Sequence, residues 1–178
     1  VATFSDLSLV AQVAVFGNKR AFDELVRRYQ SPVRKFFLNQ TLGDSQLSDD
    51  LAQDTFIKAY TNIASFKGLA SFQTWIMRIA YNVYYDYTRR HRITEDVDVV
   101  PQRSSSGAQT ALQMDIYAAL ALLKPDERSC ITLQLIEGYD IAGIAKITGM
   151  KEGTVKSHLS RGKDKLATYL RQNGYDGR

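Results

Sequence analysis

Apolar side chains recur at steps of three and four along almost the whole of this 178-residue chain. That spacing gathers them on one side of a helix, whereas the alternation of a half-buried strand is scarce. The chain is thereby confined to packed helices. Phe22, Leu25, Val26, Tyr29, Val33, Phe36 and Phe37 form a first stripe, with Arg27, Arg28, Arg34 and Lys35 largely opposite. After a turn read at TLGDSQLSDD (41–50), Leu51, Thr55, Phe56, Ala59 and Ile63 form a second. SFKGLAS (65–71) breaks the pattern. Phe72, Trp75, Ile76, Ile79, Ala80, Val83, Tyr84 and Tyr87 then trace the clearest helix, which ends in the basic run RRHR at 89–92.

The helical period disappears over ITEDVDVVPQRSSSGAQT (93–110), where acids, a proline, serines and a glycine have the composition of a tether. It resumes at Leu112, Ile116, Leu120 and Leu123. KPDER then supplies a helix start, with Pro125 near the first turn and carboxylates at the positive end of the helix dipole. The expected fold is all-α, with two small helical domains at 1–92 and 111–178 joined by a flexible linker at 93–110.

Bulk properties narrow the function classes. A formal net charge of +4 allows an anionic partner without demonstrating one. The single cysteine, Cys130, rules out an internal disulfide and points to a reducing compartment. No apolar run approaches the roughly 18 residues of a membrane span, so membrane insertion is not expected. The opening segment VATFSDLSLVAQVAVF carries Asp6 and no basic flank, so no signal peptide is expected.

The sharpest local pattern lies near the carboxy terminus. Ile141, Ile144, Ala145 and Ile147 give a short helix an apolar face, and Gly149 stands where a left-handed residue ends a helix without a Cβ penalty. A second helix follows from about Lys151, with Val155, Leu159, Gly162, Leu166 and Leu170 as its expected buried stripe. Two helices across so short a turn form a helix-turn-helix. Residues 151–171 hold six Lys/Arg against two acids, so this second helix is basic. Its outward residues Glu152, Lys156, Ser157, Ser160 and Arg161 fall in the amino-terminal half, the part of a recognition helix that meets base edges. His158 borders the apolar stripe and has no His or Cys neighbour in sequence, so it reads as a packing residue and not a metal ligand.

GYDIAGIAKITGMKEGTVKSHLSRGKDKL (138–166) resembles the promoter-reading helix-turn-helix of the extracytoplasmic-function (ECF, group IV) sigma factors of bacterial RNA polymerase. FDELVRRYQSPVRKFF, DDLAQDTFIKAY and FQTWIMRIAYNVYYDYTRRHR resemble further pieces of that family in the same order. The resemblance covers about residues 20–92 and 112–171. It implies a cytoplasmic initiation factor that takes no cofactor and catalyses nothing itself. Its partners would be core RNA polymerase, through the largest and second-largest subunits, promoter double-stranded DNA, the melted non-template strand and an anti-sigma factor. The first domain would be sigma region 2, binding polymerase and reading and melting the minus-ten element. The second would be sigma region 4, reading the minus-thirty-five element.

Site residues follow from the same resemblance. Asp50, Gln53 and Asp54, supported by Phe56, would dock on polymerase; their alternative is a solvated helix face with an Asp54–Lys58 pair. A carboxylate metal site there lacks histidine partners. For the minus-ten element, the loop residues Phe66, Lys67 and Ser71 lead into a helix whose outer face is expected to carry Arg78, Tyr81, Asn82, Tyr85 and Asp86. Rings, an amide and cations suit unpaired bases, because rings stack on them and amides bond their edges. Arg89, Arg90 and Arg92 would meet phosphates, which position a protein without reading sequence. Trp75, on the apolar stripe, is expected to be a core residue. For the minus-thirty-five element the implied set is Glu152, Thr154, Lys156, Ser157, Ser160, Arg161 and Lys163. The rival functions are a one-component regulator that binds an operator without polymerase and a helical adaptor that binds only protein.

Overall fold

The computed structural model describes residues 4–94 and 110–175. All regular structure among them is helical: eight α-helices, one 3₁₀ turn and one π turn. The chain divides into two compact units, Val1–Phe37 with Asp49–Gln102 and Leu38–Ser48 with Arg103–Arg178. Most of the linker expected at 93–110 lies outside the described residues; its ends are helical Thr94 and the helix cap Thr110.

The first element, α1 (Asp6–Phe16), has no counterpart among the sequence expectations. Ser5 caps it, accepting from the Ser8 backbone N–H at 3.2 Å, and Gly17 closes it in the left-handed region at φ 61°. Its buried face is only Leu9, Val10 and Val13. Three residues over one turn are too few to stand out as a stripe. α2 (Lys19–Gln40) buries Leu25, Val33, Phe36 and Phe37 as its spacing predicts.

α3 (Ser45–Thr61) begins earlier than the expected turn allows. The Asp44 carboxylate accepts from the Leu47 N–H at 3.1 Å and caps the helix, so the polar run SQLSDD is its first turns and not loop. Leu51, Thr55 and Ala59 are buried, and the Thr55 hydroxyl is satisfied by the Leu51 carbonyl at 2.8 Å. A 3₁₀ turn, Ile63–Ser65, leads to α4 (Phe72–Thr94), whose buried face is Phe72, Ile76, Met77, Ala80, Tyr81, Val83 and Tyr84.

In the other unit, α5 (Ala111–Ala121) opens with a full capping box between Thr110 and Gln113. Leu120 and, just past the helix, Leu123 are buried as expected, but Leu112 and Ile116 are exposed. α6 (Pro125–Ile131) passes into a π turn, Thr132–Ile136, burying Cys130, Ile131 and Leu133. The Arg128 guanidinium closes the α5–α6 corner by donating to the carbonyls of Leu120 (2.9 Å) and Leu123 (3.1 Å). α7 (Ile141–Thr148) and α8 (Glu152–Gln172) complete the unit. Where α6 crosses α8, a Cβ added to Gly162 would stand 2.7 Å from Ile131 Cγ1, so the helices meet at a distance only glycine permits. Beside that crossing the Lys165 ammonium donates to both oxygens of buried Glu127, at 2.6 and 2.9 Å.

Candidate nucleic-acid interface

The first candidate surface is built on α4 and the loop before it. Ser71 caps α4, its Oγ accepting from the Thr74 N–H at 3.1 Å, and so sets where the loop ends. With the apolar face of α4 turned inward, Arg78, Asn82, Tyr85, Arg89, Arg90 and Arg92 are exposed, as are Lys67 and Ser71 in the loop. A cleft of ≈ 450 Å³ lies here, lined by Lys58, Asn62, Ser65, Trp75, Arg78, Ile79 and Asn82. Its size falls in the roughly 300–1,000 Å³ range of small-ligand sites. Two cations, two amides, a hydroxyl and an indole face one space, a set that can bond the edge of a nucleobase and stack on its face.

Three of these residues, Lys58, Asn62 and Ser65, were not anticipated. They come from the end of α3 and the 3₁₀ turn, where no sequence period marks them, and only the fold brings them beside Asn82. Trp75, expected in the core, is half-buried and lines the cleft while its ring meets Phe66 at 5.6 Å and Phe72 at 5.4 Å. The outward placement expected of Tyr81 is corrected. It is 6% exposed, because the α4 stripe widens through Tyr81 and Tyr84 as well as Ala80 and Val83, and its ring stacks on exposed Tyr85 at 6.4 Å. Phe66 is half-buried, packed on Phe72 at 5.6 Å. Asp86 lies 3.7 Å from the Arg89 guanidinium, one turn on, which partly neutralises that cation.

The second surface is α7–turn–α8. Asp140 caps α7, accepting from the Gly143 N–H at 2.7 Å, and a Cβ on Gly143 would crowd both that oxygen and the Tyr139 ring. Gly149 ends α7 at φ 74°. Ile144 and Ile147 of α7 and Val155, Leu159 and Gly162 of α8 are buried, as the spacing predicts; Leu170 is 42% exposed, so the stripe fades towards the end of the helix. Every predicted reading residue is exposed: Glu152, Thr154, Lys156, Ser157, Ser160, Arg161 and Lys163. The Ser157 hydroxyl bonds the Gly153 carbonyl at 3.1 Å, and Arg161 Nη2 lies 3.4 Å from Nδ1 of half-buried His158. Lys165, partly exposed, is engaged by buried Glu127 and so is not a free cation of the basic face.

A third surface runs along α3. Asp50, Gln53 and Asp54 are exposed and Phe56 is half-buried. No Asp54–Lys58 ion pair forms among the described residues; the bridge seen here joins Arg34 Nε to Asp49 at 2.7 Å. Gln53 and Phe56 instead edge an apolar cleft of ≈ 490 Å³ between α2 and α3, lined also by Phe22, Val26, Ile57 and Tyr60. Ile57 is 55% and Tyr60 39% exposed, and neither was expected to take part. Their signal was present in the sequence as apolar residues lying off the 51–55–59 stripe.

Among the described residues no group of three or more His, Cys, Asp or Glu side chains comes together to hold a metal, and no helix is long and apolar enough to cross a membrane. The one free thiol, Cys130, is fully buried, and burial pushes it up to about 12, with Asp126 adding to the effect.

Comparison with known proteins identifies the family of both units. Residues 25–93 match the family Sigma-70 region 2, and residues 113–166 match Sigma-70, region 4. The chain is 33% identical over 171 residues to the ECF RNA polymerase sigma factor SigM of Mycobacterium tuberculosis, covering 93% of this chain and 85% of that protein. It is 30% identical to SigW of Bacillus subtilis, covering 87% and 91% respectively. Among solved structures it resembles CnrH in complex with the cytosolic domain of CnrY, with TM-score 0.72 and 26% identity over 95% of this chain and 99% of that one. It also resembles RpoE of Bartonella quintana in complex with the anti-sigma factor NepR, with TM-score 0.68 and 28% identity over 84% and 96%. With both regions matched in order and relatives at this identity over nearly its full length, the chain belongs to the ECF sigma factors, through which RNA polymerase recognises promoters.

Proposed function

We propose a division of labour among the three surfaces. The α3 face with Asp50, Gln53, Asp54 and Phe56 docks on core RNA polymerase, and the apolar cleft beside it adds buried area to that contact. The loop at 66–71 and the outer face of α4 capture unpaired bases of the minus-ten non-template strand, with Asn82 bonding a base edge and Tyr85 stacking. Arg78, Arg89, Arg90 and Arg92 hold phosphates. The exposed half of α8 reads the minus-thirty-five duplex, with Lys156 and Arg161 as the strongest candidates for guanine or phosphate contacts. An anti-sigma partner fits the same reading, since a solved relative is bound to one.

The observation that carries this reading is the cleft at Asn82. Capturing a base costs a few kcal/mol of unstacking, which a fitting site must offset. Here an indole, two amides and two cations surround one space of suitable size. Phosphate contacts alone supply salt-dependent affinity and positioning without reading sequence. The test mixes the protein with sigma-free core polymerase and a promoter library and maps transcript starts. Polymerase-dependent starts at fixed distances from two sequence elements are expected; operator binding without polymerase would support a one-component regulator instead. Within that assay Asn82→Ala should slow open-complex formation roughly five- to 150-fold while leaving core binding within twofold, from loss of a base contact worth about 1–3 kcal/mol. Equal open-complex rates for the variant and the parent protein would remove Asn82 from the site.

A further inference from the structure

The loop that leads into α4 has little to hold it in place. Lys67, Gly68, Leu69 and Ser71 are exposed, Leu69 at 91%, and Gly68 takes a left-handed φ of 71°. Its own tethers include the Ser71 cap, the Phe66 N–H donating to the Ile63 carbonyl at 3.2 Å and a long Lys67 Nζ contact to the Ala64 carbonyl at 3.4 Å. The firmer supports come from outside the loop, and they lead to α1. That helix lies outside the residues matched to Sigma-70 region 2, which begin at 25.

Two routes connect α1 to the loop. In the first, the Asp6 carboxylate accepts from the Tyr29 hydroxyl and from Arg28 Nη1, the latter at 2.9 Å. The Tyr29 ring lies 5.1 Å from Phe72, the first residue of α4, and Phe72 meets Phe66, the first residue of the loop, at 5.6 Å. Both ends of the loop therefore rest on one aromatic cluster whose outer ring is tied to α1. In the second, α1 packs along the 3₁₀ turn at Ile63–Ser65, and Leu7 Cδ1 reaches to 3.8 Å from where a Gly68 Cβ would stand. Leu7 is 62% exposed, so its value to the core is small and its position against the loop is the notable feature.

We propose that α1 is the brace of the base-capturing loop, with Asp6 acting through Tyr29 and Leu7 acting through Gly68 as positioning residues for promoter melting. The inference rests on the reading of the α4 surface given above. A loop left to find its own position has to be ordered when the base arrives, and that entropy weakens capture. A loop already held by α1 does not incur the loss at that step. The brace thus affects melting, whereas docking on polymerase, through the α3 face, is independent of it.

The test uses the full chain with core polymerase on a duplex promoter, comparing Leu7→Ala, Tyr29→Phe and Asp6→Ala with the parent protein. Core-binding affinity, thermal stability and permanganate reactivity of minus-ten thymines are followed together. Expected is a loss in open-complex rate of roughly two- to thirtyfold, the span of substitutions that act at one remove from a site. Core binding should be unchanged, and a promoter already unpaired at the minus-ten element should recover much of the loss. Leu7→Met, which can still reach the loop, should restore the rate, and Tyr29→Phe combined with Asp6→Ala should cost no more than either alone. Variants that melt the promoter as fast as the parent protein would overturn the brace. So would variants whose melting and core binding fall together, because α1 would then only support the fold. Failure of the parent protein itself to unpair the promoter would overturn the reading of the α4 surface on which the brace rests.

Discussion

Replacing Gly162 by alanine tests how tightly α8 is held. The new methyl would stand 2.7 Å from Ile131 Cγ1 and 3.1 Å from its Cδ1, against an ordinary carbon separation of about 3.5–4.0 Å. Neither helix yields easily. Ile131 is 2% exposed and β-branched, with a stiff first torsion. Overpacking of this kind costs about 1–3 kcal/mol, and the better helix propensity of alanine returns about 1. The net is a loss of roughly 1 kcal/mol, which corresponds to about fivefold in an opening equilibrium. Cys130, next to Ile131 and fully buried, is a natural reporter of that opening, because its thiol meets a reagent only when this core comes apart. Gly162→Ala should therefore label about fivefold faster at Cys130 and lower the melting temperature of this unit by roughly 4–8 °C. Gly162→Val should do considerably more. At Gly153, where an added Cβ meets nothing within 4 Å, alanine should instead slow labelling. Should Gly162→Ala label as slowly as Gly153→Ala, the close crossing of α6 and α8 would be refuted as a constraint.

The Glu127–Lys165 pair should behave as part of the core. Lys165→Ala leaves a carboxylate that is 1% exposed without its partner, and the loss should fall at the lower end of roughly 3–5 kcal/mol, since Lys165 is itself 38% exposed to water. Denaturant melts of that variant should show the loss against the parent protein; an unchanged midpoint would contradict the assignment. Alkaline pH gives a separate check. Burial raises both the Cys130 thiol and the Tyr139 phenol to about 12, from ordinary values of 9.0 and 10.0, with Glu137 adding to the second. Groups raised on folding contribute stability that is fully present below their unfolded values and lost as pH climbs through the folded ones. Stability of this unit should thus decline between about pH 9 and 12, with thiolate absorbance appearing together with loss of helicity. Thiolate appearing near pH 9 in a still-folded chain would contradict the burial.

Much of this architecture was legible because long helices that cover a core on one side write a strong period. α2, α4 and the α7–α8 pair were read that way, and Gly149 and Pro125 stand where punctuation of that kind belongs. What escaped notice was short, or depended on neighbours. α1 buries three residues in one turn, too brief to register as a period. Asp44 turned an apparently polar loop into the first turns of α3. Tyr81 was expected on the outer face as a ring to stack on bases, although that ring lies within the stripe of α4, and Leu112 and Ile116 keep helical spacing while remaining exposed. The same limit applied to the α4 surface. Asn82 and Arg78 were visible as an outward face, whereas Lys58, Asn62 and Ser65 join them only through the turn between α3 and α4.

Trp75 has a consequence beyond packing. It is the only tryptophan in the chain, and it lines the cleft that Asn82 and Arg78 share. Ultraviolet emission from this protein thus originates at one place that matters, with no background from other indoles. A base entering the cleft would come within stacking range of the ring and draw off its excited state. On the base-capture role proposed for this cleft, emission from the protein alone should fall when an unpaired minus-ten oligonucleotide is added, and Asn82→Ala should weaken that response.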